Sequence, residues 1–136
     1  RWTERLEAEG ERSRPDATAP ELRHEVRLEG GVCRYPGATA AALDGVSLAI
    51  PARRTTALVG SSGSGKTTLA DVVMGLIRPE AGSVRVDGVP LEEGNAHAWR
   101  GRVGYVPQDA VHFHDTVREN LRLARPDATE AEIWEA

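Results

Sequence analysis

Gly60-Ser61-Ser62-Gly63-Ser64-Gly65-Lys66-Thr67-Thr68 decides how the rest of this chain is read. The string satisfies G-x-x-x-x-G-K-[ST], a loop suited to holding phosphates. Phosphate oxygens are met at close range by backbone N–H groups, and glycine removes the Cβ that would block the approach. Successive amides form a nest of dipoles, and a helix starting where the loop ends adds the partial positive charge of its N-terminus. Lys66 is the only lysine; every other basic residue except the histidines is arginine. A compact, mobile ammonium suits the space between β- and γ-phosphates better than a planar guanidinium. The Thr67 hydroxyl offers an oxygen ligand to Mg²⁺, and Thr68 offers a hydrogen bond to an α-phosphate oxygen.

The flanks supply the order strand, loop, helix. Thr55 to Val59 is a continuous strand-like run suited to burial on both faces. Thr67 to Leu76 has helical spacing, with Leu69, Val72, Val73 and Leu76 on one side, closed by Pro79 and Gly82. Upstream, Val26 and Leu28 alternate with polar residues, Gly30-Gly31 turns or bulges the chain, and Val32 to Tyr35 reads as another strand ended by Pro36-Gly37. Val46 to Ile50 alternates again and stops at Pro51. These segments predict a small antiparallel sheet. Downstream, Ser83 to Asp87 is a strand ending in an Asp-Gly turn. Val103 to Val106 is another, ended by Pro107. Thr116 with Glu119, and Thr129 with Glu132, are capping boxes that open two helices.

Composition narrows the class. The chain has 136 residues, 40% hydrophobic and 28% charged, ordinary for one globular domain or part of one. A formal net charge of −4 gives no global basic field for nucleic acid or an anionic membrane. No apolar run approaches the roughly 18 residues of a membrane span. Arg1 to Arg5 are not followed by the apolar core of a signal peptide. Cys33 is the single cysteine, so no internal disulfide forms. Residues 1–20 are polar, broken by Pro15 and Pro20, and read either as a linker or as a disordered tail. The folded part begins at residue 21.

The loop composition G-S-S-G-S-G-K-T-T resembles that of the ABC ATPases. Tyr35 in C-R-Y-P-G is similar to that family's aromatic loop, and Gln108 in Y-V-P-Q-D to its Q-loop. Asp115-Thr116-Val117-Arg118-Glu119-Asn120-Leu121 resembles the T-x-R-E-N segment of the exporter subfamily. A-L-D-G-V-S-L near residue 45 and P-E-A-G-S-V-R-V-D-G near residue 83 extend the likeness from Val26 to Ala136.

The resemblance implies an α/β fold: part of the RecA-like parallel core of a P-loop NTPase, with an antiparallel β subdomain and a helical subdomain starting near Thr116. Residues 1–20 would connect to a preceding membrane domain, and 21–136 would be the N-terminal part of a nucleotide-binding domain. The ligands would be ATP and Mg²⁺. Gly60, Ser61, Ser62, Gly63, Ser64, Gly65, Lys66, Thr67 and Thr68 would hold the nucleotide phosphates, and Tyr35 would stack on adenine. Thr67 and Gln108 would contact the metal, and Lys66 and Gln108 would serve the chemistry. The role implied is ATP hydrolysis coupled to export, at the cytoplasmic face of the plasma membrane. The partners would be the membrane domain of the same or another chain and a second nucleotide-binding domain, head to tail, with no nucleic acid.

The chain departs from the family in lacking L-S-G-G-Q, an apolar strand ending in Asp-Glu, and a switch histidine. In family order these fall beyond Ala136, so the fragment alone is expected to be inactive. His112 and His114 match no motif and read as surface or interface residues. Ala98-Trp99 stands where a leucine-type segment is usual. A small P-loop kinase, a non-transport ABC ATPase and a stand-alone importer subunit remain the alternatives.

Overall fold

A computed structural model describes residues 18–106 and 113–135. Residues 1–17, which hold most of the expected connector, and 107–112, which hold Gln108 and His112, lie outside the described residues. The chain divides into two compact units, Arg1–Val103 and Gly104–Ala136.

The first unit is built on a four-stranded antiparallel sheet of β1 (Glu25–Cys33), β2 (Leu43–Pro51), β3 (Ala81–Val86) and β4 (Val89–Pro90), in the order β2-β1-β3-β4. Val26 pairs with Ile50 on one side and Val86 on the other, and Leu28 with Leu48 and Val84. Alternation therefore delivers Val26, Leu28, Val84 and Val86 to one buried face. Gly30-Gly31 is a bulge inside β1, where the register with β2 slips and the Gly30 amide donates to Ser47 Oγ at 2.8 Å. The separate strand expected over Val32 to Tyr35 is thus the end of β1, which stops at Cys33.

The Asp87-Gly88 turn joins β3 to β4 as expected, and the Asp87 carboxylate has a further task. It accepts from the amides of Arg23 (2.6 Å), His24 (2.9 Å) and Glu25 (2.8 Å), which pins the start of β1. These amides, Glu25's foremost, hold its carboxyl below the usual carboxylate range.

α1 (Lys66–Val73) buries Leu69 and Val72 in the same core as the sheet. It ends short of the expected Leu76: Leu76 N donates to Asp71 O at 2.8 Å after a turn at Gly75, and the Leu76 side chain is exposed. The sequence reading did not anticipate α2 (Glu93–Arg100). Its N-cap is Glu92, whose amide donates to Asn95 Oδ1 at 2.8 Å. Here Trp99, uninterpreted in the sequence, finds its account. It is only 6% exposed, packs in the core, and its indole Nε1 donates to the Val73 carbonyl at 3.2 Å, tying α2 to the last residue of α1.

Two expected strands do not form. Thr55 to Val59 and Val103 to Val106 join no ladder, and Val59 and Val106 are both 89% exposed. A strand meant for burial on both faces needs neighbours on both edges. Among the described residues, the paired strands all lie in the antiparallel sheet.

In the second unit, α3 (Val117–Ala124) and α4 (Glu130–Glu135) begin at the two expected caps. Thr116 Oγ1 accepts from Glu119 N at 3.2 Å, but the Glu119 carboxylate goes to Arg122 at 3.3 Å, so only half of that box is made. The Thr129–Glu132 box has both arms, at 2.9 and 3.4 Å. Asn120 fastens the loop ahead of α3: its Oδ1 accepts from Phe113 N at 2.8 Å, and its Nδ2 donates to the carbonyls of Phe113 and Thr116 at 3.1 and 2.9 Å. Arg118 and Arg122 both reach Glu130, and Arg125 reaches Glu132. Among the described residues, no helix is long and apolar enough to cross a membrane.

Candidate functional site

The phosphate loop runs from Gly60 to Gly65 and feeds directly into α1 at Lys66. Ser64 N donates to Ser61 O at 3.3 Å, a turn that curls the loop back on itself. Helix geometry then dictates the rest: the first amides of α1 have no carbonyl four residues back to bond. Among the described residues, the amides of Gly63, Gly65, Lys66 and Thr67 have no hydrogen-bond partner. Several donors therefore gather beside the positive end of the helix.

Lys66 lies over the loop, its Nζ donating to Gly60 O (2.9 Å), Ser61 O (2.6 Å) and Ser64 Oγ (3.3 Å). The ammonium is thus fixed at the loop mouth by neutral acceptors, with no carboxylate among its bonded partners. A phosphate oxygen could replace these weaker contacts with charge-assisted ones.

Gly65 is required by the fold as well as by any ligand. Its φ is +86°, and a Cβ there would collide with the backbone carbonyl oxygen of Ala42, in the loop between β1 and β2. Thr68, one turn into α1, is 5% exposed, whereas Thr67 is exposed.

Tyr35 follows two residues after the end of β1. After β1 ends, Tyr35-Pro36-Gly37-Ala38 makes a turn closed by Ala38 N to Tyr35 O at 3.0 Å. Pro36 suits the second position and Gly37, at φ +80°, the third, as a type II turn requires. Ala42 N then donates to Cys33 O at 2.8 Å and brings the loop back. The ring is 45% exposed, not packed in the core, and its hydroxyl shares a hydrogen bond with Thr68 Oγ1 at 3.1 Å.

Tyr35, Gly60 to Gly65, Lys66, Thr67 and Thr68 thus belong to one lobe, with Tyr35 and Thr68 in direct contact. Gln108 lies outside the described residues. The sequence reading missed the hydroxyl pair, and no local signal could have given it, since the two residues are 33 apart in the chain. Cys33 is buried in the core, and burial pushes its thiol above the usual range, which disfavours the thiolate. Among the described residues, no group of three or more histidines, cysteines or carboxylates could hold a metal.

Comparison with known proteins agrees with this geometry. The model of the ABC transporter family matches residues 43–136. An ATP-dependent lipid A-core flippase of Chromobacterium violaceum is 39% identical over 131 residues, which are 96% of this chain and 22% of that protein. A multidrug efflux ATP-binding/permease protein of Mycobacterium bovis is 42% identical over 115 residues, 85% of this chain and 10% of that one. This chain therefore spans under a quarter of the length of these curated relatives. Among solved structures, a bacterial Atm1-family ABC exporter with ATP bound superposes with a TM-score of 0.76 at 32% identity, covering 88% of this chain and 21% of that one. A loop of unpaired amides capped by a lysine, an antiparallel sheet beside it and a family match over most of the chain converge: the chain belongs to the ABC transporter family and has the P-loop ATPase fold of that family.

Proposed function

We infer that this chain binds ATP through the Gly60–Thr68 loop, and that the full-length gene product hydrolyses it to drive export across a membrane. The observation that carries the reading is the set of unpartnered amides at the start of α1 beside the Lys66 ammonium. Triphosphate is the ligand whose charge matches both. The relatives support the transport half, since one is a flippase and another an efflux permease. The kinase alternative is set aside by the family match.

Each residue has a role in this proposal. The loop amides and Lys66 take the β- and γ-phosphates, and Thr68 takes an α-phosphate oxygen. Tyr35 stacks its exposed ring on the purine. The Thr67 hydroxyl and the Gln108 side-chain carbonyl would each offer Mg²⁺ an oxygen ligand, alongside phosphate and water, which suits an ion that keeps much of its hydration. Gln108 would couple the site to the membrane domain, since an uncharged carbonyl can contact metal or water without altering the charge balance. The partners are a membrane domain and a second nucleotide-binding domain, head to tail, with the active assembly at the cytoplasmic face of the plasma membrane. Residues 1–20 would be the connector.

The test is titration calorimetry with Mg-ATP on wild type and Lys66→Ala. Losing a charge-assisted contact of about 1.5–3 kcal/mol weakens binding by roughly 10- to 150-fold. Equal affinity for ATP in the two proteins would overturn the proposal.

A further inference from the structure

The hydrogen bond between Tyr35 and Thr68 joins the residue proposed to hold the base to a residue proposed to hold a phosphate. A hydroxyl has one proton and two acceptor sites. If Thr68 gives its proton to Tyr35, it has none left for a phosphate oxygen. If Tyr35 gives its proton to Thr68, the Thr68 proton is free to point at the anion. Anionic ligand selects the second arrangement, and each bond in such a chain polarises the next.

We propose that Tyr35 is a positioning residue as well as a base platform: its hydroxyl donates to Thr68 Oγ1 and thereby orients the Thr68 proton toward the α-phosphate. This rests on the ATP-binding reading above. The geometry favours a fixed donor. The Tyr35 backbone is held by its own turn through Ala38, and the loop is closed onto β1 by Ala42 N to Cys33 O. Thr68 is buried on α1, with little freedom to find another partner. A ring serving only as a stacking surface would need no hydroxyl, and phenylalanine would serve as well.

The experiment compares wild type, Tyr35→Phe, Thr68→Val and the double variant in the full-length gene product, measuring affinity for Mg-ATP and for adenosine. Tyr35→Phe keeps the ring and removes only the donor. It is expected to weaken ATP by about three- to tenfold, the scale of one hydrogen bond, with adenosine affinity changed less than twofold. Thr68→Val should weaken ATP further, and adding Tyr35→Phe to it should cost less than a twofold additional loss, because the chain is already cut. Equal ATP affinity in wild type and Tyr35→Phe would overturn the inference while leaving the ATP-binding reading intact. Equal losses for ATP and adenosine would also overturn it, since they would mean a displaced ring and not a lost proton donor. Fully additive losses in the double variant would do the same. Failure of wild type to bind ATP at all would instead remove the functional reading beneath it.

Discussion

Leu28, Val72 and Val86 are almost wholly buried in the unit that carries Lys66, while no described residue from Phe113 to Glu135 is fully buried. The first unit is held by apolar burial between a sheet and two helices. The second is held by side-chain caps, the Asn120 fastening and a group of arginine–glutamate pairs. Apolar burial carries no charge for salt to screen and is costly to interrupt, whereas exposed ion pairs are individually weak and screened. The contrast suits the proposed work: a phosphate loop needs a rigid base, and a segment near a coupling residue benefits from contacts that exchange at low cost.

The comparison breaks most visibly at Trp99. Trp99→Ala should destabilise the first unit by about 3–5 kcal/mol, since it opens a core cavity and leaves the Val73 carbonyl without its donor. Chemical denaturation followed by circular dichroism reads this directly. A loss under about 1 kcal/mol would mean that α2 is peripheral to the core.

Asn120→Ala tests the second unit. It removes the acceptor of the Phe113 amide and two well-made donations to carbonyls. Exchange of the Phe113 amide should accelerate about five- to tenfold, with amides of β1 and β3 unchanged. Equal acceleration in both units would show that their stabilities are not separate.

The smallest effect is expected at Arg122, which bridges Glu119 and Glu130. Arg122→Gln should cost at most about 1 kcal/mol at low salt, and the difference from wild type should vanish near 1 M NaCl. A difference that survives high salt would assign the packing of the arginine stem, not its charge, as the source.

The phosphate loop, the Asp87-Gly88 turn and the caps at Thr116 and Thr129 were legible in the sequence because each is a local device. Spacing alone places donors and acceptors within one turn. α2 was not legible. Its cap is a glutamate answered by an asparagine, outside the usual pattern, and Gly94 and Asn95 weaken its helical signal. Trp99 was opaque for another reason: its partner Val73 is 26 residues away. The run at Thr55 to Val59 registered a demand for burial on both faces and that at Val103 to Val106 a strand-like pattern, and neither signal identifies the neighbouring strands that a ladder needs. The Tyr35–Thr68 pair belongs with Trp99, as a contact that only the folded lobe creates.

Gly65 carries a consequence for how variants of this chain are interpreted. Its place between the Ala42 carbonyl and the first turn of α1 leaves no room for a side chain, and no nucleotide takes part in that clash. Loss of binding after substitution there is therefore not proof of a lost ligand contact, because the same change disturbs the junction of lobe and helix. Two phenotypes, stability and affinity, are locked to one codon. A shift of the β1–β2 loop would relieve the clash with Ala42 but not the left-handed backbone at φ +86°, so a second-site suppressor near Ala42 should restore the stability of a Gly65 variant only in part.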